Sequence, residues 1–173
     1  MTAAGVLLAA ALGALAQGCN PNLQPRPTYH PMAASQPVGQ TLGLLLPQKI
    51  RIHPFTGTRT FSQQGGIKGF DVRIEATDAF GDATKAIGSF RFELYSFKGD
   101  SADPKGQRLA VWNIDVGDFD SNRSYWNGIT RTYQFKLGWD EPVPVGRKLV
   151  LVAVFQSPYT PRLMDEHLFV AGQ

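Results

Sequence analysis

Phe70-Asp71-Val72-Arg73-Ile74-Glu75-Ala76 is the stretch that decides the fold class. Apolar and charged residues alternate through it without a break, so one row of side chains faces a core while the other faces water. A helix would wind the same residues around its whole circumference and bury charge with them. The period recurs along the chain. Phe90, Phe92 and Leu94 alternate with Arg91, Glu93 and Tyr95; Tyr133, Phe135, Leu137 and Trp139 alternate with Thr132, Gln134 and Lys136; Ala110, Trp112, Ile114 and Val116 form a similar row.

One run departs from alternation. Leu149 to Phe155 is continuously apolar and rich in valine, which predicts a strand covered on both faces. Shorter candidates around Lys49 to His53 and Glu166 to Val170 bring the set to about seven strands. Turn-forming sequence separates them, at Gln64-Gly65-Gly66, Phe80-Gly81-Asp82, Asp103-Pro104-Lys105-Gly106 and Asp140 to Gly146. No window of useful length shows helical periodicity with caps. The expectation is an all-β domain over residues 42–173, an antiparallel β-sandwich of about seven strands, with a closed barrel as the alternative.

The N-terminus reads differently. Thr2 to Gly18 carries no charge, and its apolar run, Val6 to Ala16, falls short of the roughly 20 residues that a membrane-spanning helix needs. Polar sequence follows, as after an export signal. The only cysteine of the chain comes next, in Leu15-Ala16-Gln17-Gly18-Cys19. This segment resembles the lipobox of bacterial lipoproteins, although Ala16 and Gln17 stand where Leu and a small residue are usual and no Lys or Arg precedes the apolar run. The resemblance implies a signal peptide over 1–18 and a lipid on Cys19, which would also account for a lone thiol in an oxidising compartment. Multiple acyl chains give stable membrane attachment where one does not. Asn20, standing where Asp is the common inner-membrane retention signal, implies the outer membrane, facing the periplasm.

Residues 19–41 form the expected linker. Pro21, Pro25, Pro27, Pro31 and Pro37 sit among Asn, Gln, Thr and Ser, a composition that extends the chain and packs poorly. At about 3.1 Å per residue, some twenty residues reach about 60 Å when fully extended. His30 within it reads as a solvated side chain.

Val72 to Asp82, which ends Thr77-Asp78-Ala79-Phe80-Gly81-Asp82, resembles the strand and turn of many extracellular bacterial Ig-like domains, with Ala83 where a proline is usual. The layout of lipobox, proline-rich linker and sandwich is also similar to uncharacterised bacterial lipoproteins. These resemblances imply an Ig-like or C2-like sandwich in the cell envelope and name no activity.

Chemistry is thinly represented. Lys and Arg number 17 against 14 Asp and Glu, interspersed rather than massed, so no basic stripe neutralises a run of phosphates and nucleic acid is not an expected partner. The cysteine is assigned to the anchor, and no G-x-S-x-G turn, phosphate loop, dinucleotide fingerprint or zinc spacing occurs. No catalytic residue, cofactor or metal is therefore expected. A hydrolase alternative would use a loop carboxylate with His53 or His167, and it requires one of these histidines within hydrogen-bond reach of a carboxylate. Asp118, Asp120 and Asn122 have the alternating oxygen spacing of a calcium loop, but Arg123 stands at the glycine position and no Glu closes it, which excludes an EF-hand and leaves only a looser calcium site.

Gly117 to Gly128 is the most informative loop. It places Phe119, Tyr125 and Trp126 among Asp, Asn and Arg instead of in an alternating strand. Two readings follow: the aromatics close the end of the sandwich as a satellite core, or they present a binding surface. The functional expectation is a non-catalytic, lipid-anchored envelope protein that binds a protein partner, with a carbohydrate-binding module as the main alternative.

Overall fold

The alternating runs pair with one another because each buries only one face and leaves backbone donors and acceptors that must be satisfied. In the computed structural model, which describes residues 39–61, 68–141 and 145–172, they assemble into nine strands: β1 (Lys49–Ile52), β2 (Gly57–Thr60), β3 (Lys68–Thr77), β4 (Ser89–Phe97), β5 (Lys105–Asp115), β6 (Trp126–Asn127), β7 (Thr132–Gly138), β8 (Lys148–Gln156) and β9 (Leu163–Val170). A single helical turn, α1 (Gln40–Gly43), precedes β1, and a short helix, α2 (Phe119–Tyr125), lies between β5 and β6. The apolar segment, Cys19 and most of the proline-rich linker lie outside the described residues.

Two antiparallel sheets form the sandwich, and neither closes into a barrel. The first has the order β1-β3-β7-β6, with β2 also on β3; the second has the order β5-β4-β8-β9. All seven expected strands are present. The two additions are β2 and the two-residue β6, both without a full alternating period. A further difference is α2, a helix inside the Gly117 to Gly128 loop whose seven residues are too few to show a 3.6-residue period.

Register places the quoted row inward. Phe70, Val72, Ile74 and Ala76 of β3 are fully buried, beside Tyr133, Phe135 and Leu137 of β7 in the same sheet and in one core with Phe90, Phe92 and Leu94 of β4 in the other. Phe90 touches rings of both sheets, its own ring 4.9 Å from that of Phe155 and 5.1 Å from that of Phe135. The continuous apolar run behaves as its composition demands. Leu149, Leu151, Ala153 and Phe155 of β8 enter the main core, while Val150, Val152 and Val154 form a second cluster with Tyr95 and Phe97 on the opposite face.

Polar ties fix the sheets to each other. Trp112 of β5 donates its indole N–H to the carbonyl of Gly138 at the end of β7, at 2.8 Å. At the other side, the backbone N–H of Ile52 in β1 donates to Asp165 Oδ2 of β9, at 2.7 Å. Each tie uses a donor that would otherwise be lost to burial or left open on a sheet edge.

Strands β1 and β2 lie end to end along one edge of β3. Ile52 pairs with Ile74 and Gly57 with Asp71, so four residues, His53 to Thr56, span the distance of two on β3. Pro54 fits this turn because its fixed φ suits the second turn position, and the Thr56 N–H donates back to the His53 carbonyl at 2.9 Å. The Thr56 hydroxyl accepts from the Arg73 N–H at 3.1 Å, replacing the carbonyl that the interrupted edge withholds.

Candidate functional site

Connections from both sheets meet at one end of the sandwich. The segment entering β1, the β3–β4 connection, the chain from β5 through α2 to β6, and the β6–β7 turn all lie there, as the pairings Lys49↔Thr77, Ser89↔Asp115 and Trp126↔Tyr133 require. A buried polar node holds them. The Tyr133 hydroxyl accepts from the Ala86 N–H at 2.9 Å and directs its proton towards Asn122 Oδ1 at 2.9 Å and the Ala86 carbonyl at 3.2 Å. Asn122 Nδ2 donates to the carbonyls of Ala86 and Val116, at 2.6 and 2.8 Å. Burial pushes the Tyr133 phenol above its ordinary pKa against these hydrogen bonds, so it stays protonated. The node joins β7, the β3–β4 connection, the end of β5 and α2.

Helix α2 begins where Asp118 caps it. Its carboxylate accepts from the N–H groups of Asp120 and Ser121 and from the Ser121 hydroxyl, which holds the carboxyl below its ordinary pKa. Gly88, further along the same end, has φ of +151°, and a Cβ there would collide with the Gln156 carbonyl. Only glycine allows β4 to start against the end of β8 in this way.

The three loop aromatics are treated differently. Tyr125 and Trp126 are half-buried and pack against the core, Tyr125 with its ring 5.0 Å from that of Phe135 and Trp126 edge-on to Tyr133 at 5.1 Å. Lys85 lies over the Trp126 ring, with Nζ 3.9 Å from its centre, and desolvation there lowers the Lys85 pKa. Phe119, by contrast, is 76% exposed. It lines a groove of about 460 Å³ with Lys85, Ile87, Asp118, Asn122 and Arg123. Tyr125, Trp126 and Ile129 help to line a second groove, of about 800 Å³.

Phe119 has company that sequence reading missed. Leu42, Leu45, Phe80, Ile87 and Ile129 are all exposed in connections at the same end, Phe80 by 70% and Ile129 by 96%. Their signal in the sequence was weak, because single apolar residues in turns have no period. Acidic and basic groups are mixed among them: Asp78, Asp82, Asp118 and Asp120 with Lys85, Arg123 and Arg131.

His53 Nδ1 accepts from the Phe55 N–H at 3.2 Å, and among the described residues neither His53 nor His167 is hydrogen-bonded to a carboxylate. Asp165, two residues before His167, is engaged by Ile52. Of the calcium alternative, Asp118 serves as the helix cap and the Asn122 oxygen is turned inward to Tyr133. Among the described residues no three His, Cys, Asp or Glu side chains gather as a metal site.

The chain matches no family model, no curated protein and no solved structure.

Proposed function

We propose that the chain is a lipid-anchored protein of the bacterial cell envelope whose sandwich acts as a non-catalytic docking module for a protein partner. The observation that carries the docking role is the concentration of exposed apolar side chains at one end of the fold. Exposed apolar side chains interspersed with polar groups of both signs are the residue types that protein interfaces use. An anionic membrane surface would favour an excess of basic residues instead, and Asp78, Asp82, Asp118 and Asp120 oppose it. The carbohydrate reading is weaker, because Trp126, the ring best suited to stack on a sugar, is packed on Tyr133 and carries Lys85 over its face.

The anchor rests on Cys19 and the resemblance of its surroundings to a lipobox, and Asn20 supports the outer membrane, facing the periplasm. Residues 19–41 then give the docking end reach from the bilayer.

A photo-cross-linking residue placed at Phe119 tests the docking role in cells that express the full chain. A discrete cross-linked species is expected at Phe119 and at Ile87, lost when Ile129 and Phe80 are changed to Asp, and not formed from Leu109 on the edge of the second sheet. Equal cross-linking from Phe119 and Leu109, or none from either Phe119 or Ile87, would sink the proposal.

A further inference from the structure

The interruption between β1 and β2 opens a cleft of about 580 Å³ against β9, away from the docking end. Phe55, Arg59, Arg73, His167 and Phe169 are among its lining residues, which include two arginines and a histidine but no carboxylate. Phe55 is 67% exposed and leans on His53, the two rings 4.9 Å apart.

The carboxylates on the flanking strands are already engaged. Asp71 receives Gln134 Nε2 on both oxygens at 2.9 and 3.0 Å, Glu75 pairs with Arg51 at 2.6 Å, Asp165 accepts from Ile52, and Glu166 pairs with Lys105 at 2.9 Å. The cations of the cleft are not matched in the same way. Arg73 Nε is shielded from solvent and has no hydrogen-bond partner among the described residues, and the ion pair of its guanidinium with Asp71 is long, at 3.8 Å. Arg59 donates to its neighbour's backbone, the Thr58 carbonyl, at 3.2 Å. A shielded charged N–H without an acceptor is costly, and native structures retain such groups where a water, an ion or a ligand completes them.

We propose that this cleft is an oxyanion site that takes the carboxylate or phosphate group of a small ligand. The guanidinium of Arg73, which lines the cleft, carries its N–H donors in a fixed planar fork that suits such a group better than a point charge would. Arg59 adds a second positive charge, and Phe55 gives the ligand's apolar part a surface. His167, whose pKa burial lowers, lines the same cleft and offers a ring N–H. The site is independent of the docking role and stands or falls separately from it.

The test is an NMR titration of the full chain with sodium phosphate and, separately, sodium acetate at constant ionic strength, following the arginine Nε–H and histidine ring signals. Fixed ionic strength removes simple screening of exposed charge. Saturable shifts of Arg73 and His167 are expected with at least one anion, and the preferred anion tells phosphate-bearing from carboxylate-bearing ligands. Affinity should fall about tenfold or more in Arg73→Gln, the loss expected for one charge-assisted hydrogen bond, and stay unchanged in Arg91→Gln on the second sheet. If Arg73→Gln does not fold, Arg59→Gln decides, with a loss of about threefold expected. No saturable shift with either anion, or wild-type affinity in the arginine variants, overturns the proposal.

Discussion

Tyr133 is buried among aromatic rings, yet its hydroxyl is the hub of the polar node at the proposed docking end, so Tyr133→Phe separates packing from hydrogen bonding. The ring stays, but the Ala86 N–H and Asn122 Oδ1 lose a partner inside the protein. Urea denaturation should show a loss of about 1–3 kcal/mol, and a loss near zero would mean that water reaches the node and replaces the hydroxyl. Phe119 is the opposite case. Its ring is exposed, so Phe119→Ala should change stability by no more than about 0.5 kcal/mol while weakening partner capture. His167 gives a pH signature. Desolvation lowers its pKa in the fold, with Asp165 opposing more weakly, so folding favours the neutral ring. Below the ordinary histidine pKa of about 6.5 the unfolded chain binds a proton that the fold resists, and stability is lost as pH falls from about 7 towards the lowered folded value. Thermal unfolding between pH 7 and 5 should show a smaller decline in His167→Gln than in the wild type; equal slopes would remove His167 as a source.

At the scale of elements, α2 is held by its attachments rather than by its own propensity, since seven residues are too few for an isolated helix. Asn122 is its main inward tie, bridging Ala86, Val116 and Tyr133. In Asn122→Ala, hydrogen exchange should rise across Phe119–Tyr125 while β4 and β8 keep their protection, because local opening there exposes little of the core. Exchange unchanged in α2 would show that Tyr125 packing alone holds it. The β4 and β8 pair is the stable counterpart. Phe90→Ala, which removes a fully buried ring packed on Phe155 and Phe135, should cost about 3–5 kcal/mol, a large share of the roughly 5–15 kcal/mol that keeps a domain folded. The same elements show how far the sequence could be read. The strands β3, β4, β7 and β8 were legible because burial on one or both faces writes a period into seven or more residues. Elements β2, β6 and α2 were not, since their short spans are set by the strands and side chains they meet.

For the whole molecule, the proposal joins a lipid anchor on Cys19 to the described sandwich, and the anchor has its own test. Changing Cys19 to Ser should move the protein from the membrane fraction to the soluble periplasmic fraction without altering its fold, measured by fractionation and by thermal unfolding of the released protein. Retention of the variant in the membrane fraction would overturn the lipid assignment, and would leave the docking end and the oxyanion cleft to be judged on their own tests.

The sequence by itself determined the all-β class, the positions of the long strands, the inward rows and the double coverage of β8. Each follows from the physics of burying one face of a two-residue repeat. It also located the loop from Gly117 to Gly128 as unusual. Only the tertiary structure decided which of its aromatics are walls and which are open, because Tyr125, Trp126 and Phe119 differ in what lies across from them, and not in their local sequence. The same holds for Arg73. In its strand it reads as one more outward charge, and only the broken edge of β1 and β2, with β9 beside it, places it in a cleft with its Nε–H shielded and lacking an acceptor among the described residues.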